Sequence, residues 1–407
     1  KEIISESPFF TDPKCSHFPT CGGCKTQQLL YKEQLNQKKK QVEKIFEKQV
    51  GLDNFKVDRV VKADPIFNYR NKMEFTFSKN RWILEEEPLG VESDFALGMH
   101  IPRRWDKILD IDSCDLMPSV GSKIINFVRD LSKKSLLKPY DQKTHIGFLR
   151  YLVLRFGHNT NELMVNIVTA YEDLDRLVPF VSQLTSEFSE ITTVVNNINT
   201  RKADVSFGEK EILLYGQPVL KEKLKNLTFQ ISSNSFFQTN SHMAEKLYDV
   251  ILDEIDSSSN KIAYDLYCGA GSISLFLAQK VKFVYAFDII VSSIENAEEN
   301  ALYNKVENVD FKVANLDTYF DNHRLSGRPK PDIVVVDPPR SGMHKKMTSF
   351  LPRLQAKKII YVSCNPTTQA RDAQILLDKG YALEKLTIVD MFPHTPHIES
   401  VGIFTKK

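Results

Sequence analysis

The sequence predicts an α/β chain in which a doubly wound parallel sheet follows an α+β domain dominated by antiparallel strands. Three observations carry this reading. At 407 residues the chain exceeds one ordinary domain. Beyond about residue 226, apolar runs at 262–266, 283–287, 333–336 and 359–362 alternate with helix-length segments at 273–280, 292–303 and 367–378, the texture of a parallel sheet with crossover helices. Between about 68 and 215, short β-rich runs such as Met73 to Phe77, Leu149 to Phe156 and Leu163 to Thr169 are separated by Asn, Gly and Asp turns. The expected division is therefore 1–225 and 226–407.

The first segment, residues 8–24, holds Pro8, Pro13, Pro19, Gly22 and Gly23 among three cysteines, too short and broken to form a core without a cross-link or a metal. From about Thr26 to Lys48, Leu35, Val42, Ile45 and Phe46 fall at helical spacing, and Lys38, Lys39 and Lys40 read as a solvated face in preference to a phosphate-binding ridge. The strand-rich stretch comes next. After the alternating segments, runs at 382–389 and 400–405 complete the sheet, leaving the chemistry in the crevice beyond the strands' carboxyl ends.

Lys and Arg number 54 against 52 acidic residues, so a grip on a polyanion must come from local patches. The six cysteines are too sparse for a secreted disulfide framework and point to a reducing cytoplasm. No run of 18 apolar residues and no signal-peptide order occurs, so no membrane is expected. Nothing implies an obligate protein partner. Because the chain begins with Lys rather than Met, a preceding segment is expected.

Asp265-Leu-Tyr267-Cys268-Gly269-Ala-Gly271-Ser272 places a strand, a glycine turn and a helix start in succession. Glycines there let backbone N–H groups approach a ligand, and a helix N-terminus favours an anionic group. Asp288 ends the next strand, where a carboxylate can accept hydrogen bonds from a ribose diol. Two glycines in place of the three of a dinucleotide fingerprint shift the choice from NAD towards S-adenosylmethionine. The motif resembles that of the class I methyltransferases, whose first motif ends in a similar Asp-x-x-x-Gly-x-Gly.

Two further strand ends carry unusual residues: Asp337-Pro-Pro-Arg340 and Ser363-Cys364-Asn365-Pro366. Prolines after a strand forbid its continuation and stiffen the turn. Amino-group methyltransferases typically show Asn-Pro-Pro followed by an aromatic, so Asp337 and Arg340 argue against an exocyclic nitrogen target. Carbon 5 of uracil is a poor nucleophile until a thiolate adds to carbon 6. Such an enzyme needs a cysteine that ionises and a base that later removes the carbon-5 proton. Cys364 and Glu399, the latter just before the last strand, are the candidates. Taken singly, Cys364 is equally a buried structural thiol and Glu399 an exposed strand-start glutamate.

Together these residues resemble the RNA uracil-5 methyltransferases, in particular the iron-sulfur type acting on 23S ribosomal RNA. The likeness runs from the Cys15 cluster through Asp265-Leu-Tyr-Cys-Gly, Asp337-Pro-Pro-Arg and Ser363-Cys-Asn-Pro to His397-Ile-Glu-Ser-Val. It implies a class I, Rossmann-like catalytic domain, Cys364 as nucleophile, Glu399 as base, and Asp337 close to the target base. It also implies contacts to S-adenosylmethionine from Gln238, Tyr267, Asp288, Asn315 and Asp337, beside Asp265, Gly269, Gly271 and Ser272 of the glycine turn. Asp288 departs from the pattern, which usually has glutamate there. Cys268 is assigned no catalysis.

Cys15, Cys21 and Cys24, with Cys114 as a fourth, make a thiolate set that suits zinc or an iron-sulfur cluster; spacing alone does not decide. The resemblance implies [4Fe-4S] rather than zinc. It also implies that a small β-barrel RNA-binding domain, TRAM, often precedes the cysteine loop.

The target uridine must be unpaired or flipped out. Arg70, Lys72, Arg81, Arg103 and Arg104, interleaved with Tyr69, Phe75, Trp82 and Trp105, are candidates for gripping flanking RNA, or else an ordinary surface with core aromatics. Two rival readings are kept: the same chemistry on transfer RNA, and an inactive iron-sulfur or zinc RNA-binding protein.

Overall fold

The computed structural model describes residues 7–256, 261–319 and 328–407. The chain divides into two compact units, one of Lys1–Leu30, Pro65–Lys223 and Gln230–Asn234, the other of Tyr31–Asp64, Leu224–Phe229 and Ser235–Lys407. In chain order, helix α1 (Tyr31–Val50) and strand β1 (Arg59–Val61) fall in the second unit. The first unit then takes β2 (Lys72–Ser78), β3 (Ala96–Ile101), β4 (Arg104–Asp110), α2 (Ser119–Lys134), β5 (Leu149–Phe156), β6 (Leu163–Thr169), α3 (Leu174–Glu187), β7 (Thr193–Ile198) and β8 (Lys210–Gly216).

Its seven-stranded sheet runs β4-β3-β2-β5-β6-β7-β8, with β6 and β7 parallel and the other pairs antiparallel. The apolar stripes of α2 (Ile124, Ile125, Val128, Leu131) and α3 (Leu177, Phe180, Val181, Leu184) join Phe75, Leu152, Leu154 and Val165 in one core. A hairpin, β9 (Leu220–Leu224) and β10 (Leu227–Ile231), follows.

The second unit continues with α4 (Ser241–Leu252), β11 (Ile262–Leu266), α5 (Ser272–Ala278), β12 (Phe283–Asp288), α6 (Val291–Tyr303), β13 (Val309–Val313) and the short α7 (Leu316–Tyr319). It ends with β14 (Ile333–Val336), α8 (Lys345–Phe350), a 3-10 turn, β15 (Lys358–Ser363), α9 (Pro366–Asp378), β16 (Tyr381–Val389) and β17 (Glu399–Lys406). The eight strands run β1-β16-β17-β15-β14-β11-β12-β13. All pair in parallel except β17, antiparallel to both neighbours. The carboxyl ends of β11, β12, β14 and β15 and the amino end of β17 therefore share one edge. β14 and β15 are buried on both faces, as helices on both sides of a parallel sheet require.

The division at 225/226 differs from these units mainly at two places: Gln230–Asn234 fall in the first and Tyr31–Asp64 in the second. Residues 31–64 belong with the second unit, because Val42 and Phe46 of α1 pack in the same core as Tyr264, Leu266, Ala370 and Leu376. Lys38 is also not on a solvated face: it is 5% exposed and its Nζ lies 2.6 Å from Asp390 Oδ1. Among the described residues, no helix is long and apolar enough to cross a membrane.

Candidate functional site

Strand register brings the reactive candidates together. β15 and β17 pair through Val362 with Val401 and Ser363 with Ser400, so the next step sets Cys364 beside Glu399. β11 and β14 pair through Leu266 with Val336, and the Asp337 backbone N–H donates to the Leu266 carbonyl at 3.3 Å. Asp337 thus leaves the sheet beside the glycine turn that begins at Tyr267. The two proline motifs hold each other: Asn365 Nδ2 donates to the Arg340 carbonyl at 3.0 Å. Asn365 also caps α9, its Oδ1 accepting from the Thr367 N–H at 3.1 Å, with Pro366 at the first helical position where a missing N–H costs nothing. Cys364 is consequently pinned between a strand end and a capped helix.

The site is rich in acids, and its depth varies: Glu399 is buried, Cys364 and Asp337 are half-buried, and Arg340 is exposed. Glu399 is 4% exposed, against the exposed strand-start position that its sequence neighbourhood allowed. Burial, then the negative charge of Asp337, raise its carboxyl well above the usual range, while the Arg340 guanidinium opposes the rise. Burial and then Asp265 raise Asp337 to about 7. The Cys364 thiol is pushed up to about 11, first by burial and then by Glu399 and Asp337, with Arg340 again opposing. Arg340 itself donates through Nη2 to His397 Nδ1 at 3.1 Å, which fixes that histidine as an acceptor at Nδ1. A thiol and two carboxyls at the mouth of a sheet can exchange protons with one another and with a bound ring, while the guanidinium stays protonated and stabilises their charged forms.

The turn after β11 is built for close approach. Tyr267, Gly269 and Gly271 all have positive φ, at 68°, 53° and 81°. A Cβ on Gly269 would meet open space, whereas one on Gly271 would come within 2.9 Å of Ala297 Cβ and 3.0 Å of the Phe311 ring. Gly269 therefore leaves its backbone open to a ligand, and Gly271 lets α5 pack against its neighbours. The Gly269 N–H donates to Asp288 Oδ2 at 2.9 Å, and Asp288 Oδ1 accepts from the Ile290 N–H at 2.9 Å. The shorter aspartate is thus locked across the turn, with further lone pairs on each oxygen.

Asp265 is fully buried, accepts from Ser274 Oγ at 2.5 Å and is raised by burial to about 7. Ser272 opens α5 and bonds the buried Tyr248 hydroxyl. Asn315 is exposed just after Ala314, whose N–H donates to the Asp288 carbonyl at 2.7 Å. Gln238 is half-buried in the stretch before α4. Sequence reasoning missed Ser274 and Tyr248, which act through Asp265 and Ser272 and carry no motif signal. Ile289, Ile290 and Val291, each more than half exposed, follow Asp288. Three consecutive exposed apolar residues beside an acid are a signal that the sequence offered and the reading passed over.

In the first unit, Cys15, Cys21, Cys24 and Cys114 line one cavity of about 70 Å³ with His17, Gln27, Arg70, Met73 and Met99. All are free thiols. Gln27 Nε2 donates to Cys24 Sγ at 3.2 Å, and the Gly23 N–H to Cys21 Sγ at 3.4 Å. The loop lies tight on β3: a Cβ on Gly22 would fall 2.3 Å from the His100 carbonyl oxygen. Among the described residues, no group of three or more His, Cys, Asp or Glu side chains is placed to hold a metal ion.

The RNA-facing candidates divide. Tyr69 and Phe75 are core, and Arg70 lines the cysteine cavity. Lys72 pairs with Glu74 at 2.5 Å, and Arg81 pairs with Glu87 at 2.7 Å. Trp105 is 65% exposed, Arg103 is exposed with φ +65°, and Arg104 lies over the Trp82 ring at 5.9 Å while pairing with Asp106. Of this set, Arg103 in the β3–β4 turn and Trp105 near the start of β4 are the exposed residues not drawn into an ion pair above.

Residues 209–407 match the family described as tRNA (uracil-5-)-methyltransferase. An RNA methyltransferase of Chlorobaculum tepidum is 39% identical over 100% of this chain and 85% of its own length. One of Staphylococcus aureus is 35% identical, covering 97% of this chain and 84% of the relative. Among solved structures, the tRNA (uracil-54, C5)-methyltransferase of Pyrococcus abyssi, in complex with S-adenosyl-L-homocysteine, is 32% identical with a TM-score of 0.79, covering 99% of this chain and 87% of that one.

Proposed function

Since the chain belongs to the RNA uracil-5 methyltransferase family and is an S-adenosylmethionine-dependent RNA methyltransferase, we propose that it methylates carbon 5 of a uridine in 23S ribosomal RNA through a covalent Cys364 adduct. The observation that supports the covalent step is the β15–β17 register, whose last pair, Ser363 opposite Ser400, sets Cys364 next to Glu399, with Asp337 following β14.

When bound, S-adenosylmethionine supplies an electrophilic methyl group. Asp288 would accept from the ribose, the Gly269 backbone and Ser272 would border the ligand, and Gln238, Tyr267 and Asn315 would complete its contacts. Ile289 and Ile290 offer an apolar bed for a flat ring. Asp337, raised to about 7 by burial and then Asp265, has its neutral form within reach near pH 7, and in that form it can donate a hydrogen bond to the target base as well as accept one.

Cys364 adds as thiolate to carbon 6 of the uracil, which raises electron density on carbon 5. Once carbon 5 carries the methyl group, Glu399 as carboxylate takes the proton from it. The carbon 5–carbon 6 double bond reforms, the sulfur–carbon bond breaks, and the thiolate returns. Arg340 favours both ionised forms, since it opposes the rise of Cys364 and of Glu399.

A [4Fe-4S] cluster is the group this thiol set would take once its members drew together: the four line one cavity, and N–H donors point at two of the sulfurs, which supports the reading. Cys15, Cys21, Cys24 and Cys114 would hold it as a structural group, and free cysteines throughout suit a reducing cytoplasm. Ribosomal RNA rests on this cysteine set. The 32% identity to an enzyme of transfer RNA uracil-54 favours transfer RNA as the second reading.

Mapping 5-methyluridine in both RNAs from cells lacking the protein decides. Loss from 23S ribosomal RNA is the expected result, and loss from transfer RNA alone overturns that target. Label from S-adenosylmethionine failing to enter any RNA would favour an inactive binder.

A further inference from the structure

Helix α1 lies more than 300 residues from the base candidate in sequence, yet its buried stripe reaches the loop that carries it. Gln34, Lys38, Val42 and Phe46 form that stripe. Its C-terminal half is apolar and packs in the core, whereas its N-terminal half is polar and is spent almost wholly on residues 390–394. Burying an amide and an ammonium is costly unless each is fully paired. Core packing alone would be served better by leucine at both positions.

The pairing is specific. Tyr31 donates its hydroxyl hydrogen to Asp390 Oδ2 at 2.7 Å and accepts from the Ala63 N–H at 2.8 Å. Lys38 Nζ donates to Asp390 Oδ1 at 2.6 Å and to the Phe392 carbonyl at 3.1 Å. Gln34 grips His394 twice: its Oε1 accepts from the His394 N–H at 2.9 Å, and its Nε2 lies 3.2 Å from the ring Nδ1. His394 has φ +64°, a conformation that a side-chain-bearing residue keeps only when its surroundings impose it. Gln34 bonds both the backbone N–H and the ring of that residue.

This loop is the turn between β16 and β17. Val389 pairs with Glu399, so the loop from Asp390 to Ile398 enters at the foot of the base and leaves at the base itself. Asp390, Met391, His394, Thr395 and Ile398 are all at most 3% exposed. Asp390 is further tied by its N–H to the Val61 carbonyl at 3.0 Å, and Met391 by its carbonyl to Asn240 Nδ2 at 2.9 Å. His397, one turn later in the same loop, accepts from Arg340.

We infer that Tyr31, Gln34 and Lys38 of α1 are positioning residues for proton removal: by clamping Asp390, Phe392 and His394 they set the Glu399 carboxyl against the carbon-5 proton. The inference rests on the reading of Glu399 as that base. Its consequence is selective. Addition of Cys364 depends on the β15 end and on the Asn365 cap of α9, neither of which α1 clamps through these three side chains. Loosening the clamp therefore slows the last step and spares the earlier ones.

The test uses the full chain, RNA carrying tritium at carbon 5 of uridine, and S-adenosylmethionine labelled with carbon-14 in its methyl group. Methyl label entering RNA reports transfer, tritium in water reports proton removal, and protein–RNA complex surviving denaturant reports the stalled adduct. Gln34→Ala is expected to slow tritium release about tenfold, since displacing a reacting group by under an ångström is worth that much, with methyl transfer changed less than twofold and methylated adduct accumulating. Tyr31→Phe, which keeps the ring and the fold, is expected to move the same ratio in the same direction by about threefold. Should Gln34→Ala fail to fold, Tyr31→Phe decides. Equal slowing of both labels, or no change in either, overturns the positioning role. Wild-type protein that transfers methyl without releasing tritium overturns the carbon-5 reading first, and the positioning role with it.

Discussion

Cys24 and Cys114 in the first unit and Cys364 in the second are all lifted by burial, Cys24 and Cys364 to about 11 and Cys114 to about 12. Their neighbours differ. Around Cys114 the charges that add to the rise are the other three cluster thiols, and around Cys24 they are Cys21 and Cys15. Around Cys364 they are Glu399 and Asp337, with Arg340 opposing. Thiols that face one another gain most from a shared cationic group. A thiol beside two carboxyls has partners with which to trade a proton in every turnover, and the guanidinium supplies a fixed positive charge. Cys268 marks the third case: buried beside Asp265 and Asp288, it is raised far above its usual value and remains a packing group in the glycine turn.

The contrast breaks most sharply at Cys364. Cys364→Ala is expected to lower methyl transfer by at least ~10³-fold and to abolish denaturant-stable RNA adducts, because a covalent step has no substitute nucleophile. Its iron content should equal that of the wild type; iron loss on this substitution would show that the two thiol sets are not independent. Glu399→Gln is expected to do the reverse at the adduct, which accumulates because carbon 5 keeps its proton.

Next in size is the first unit. Cys114→Ser removes one of four ligands, so the brown colour and absorbance near ~400 nm should fall together with bound iron. Metal analysis checks this: zinc in stoichiometric amount with no iron in the wild type would overturn the cluster. Arg340→Gln sharpens the other side. Arg340 lowers both Cys364 and Glu399, so its loss raises both, and the rising limb of the pH–rate profile should move to higher pH by about one unit. A profile that stays in place, or moves to lower pH, contradicts the role of the guanidinium. The smallest effect is at Gly271. A methyl group there meets Ala297 and Phe311 at positive φ, and Gly271→Ala should destabilise the chain by about 1–3 kcal/mol in denaturant unfolding.

Legibility in the sequence followed how many independent signals a segment carried. β5, β6, β11 and β14 are runs rich in apolar and β-branched residues, and their ends match the runs to within a residue. β13 is an edge strand, Val-Asp-Phe-Lys-Val, in which only Phe311 is buried, so no apolar run marked it. Helix α1 was legible as a helix but not as part of the second unit, because amphipathic spacing says which face is buried and not what buries it. Lys38 misled for the same reason: its partner Asp390 lies 352 residues away. Cys364, Asp337 and Glu399 could be named because strand ends and prolines mark them. Gln238 and Asn315 came from the resemblance alone, since a glutamine and an asparagine in loops carry no pattern of their own.

The central claim is that the sulfur of residue 364 bonds to carbon 6 of a uracil. RNA in which 5-fluorouridine replaces uridine tests it directly, because fluorine on carbon 5 cannot leave as a proton does and the adduct persists. After incubation with S-adenosylmethionine, digestion and mass spectrometry, the account predicts one methylated fluorouridine fragment on the peptide that contains Cys364. Attachment to any other residue, or continued methylation of ordinary RNA by a protein that yields no such peptide, would contradict it.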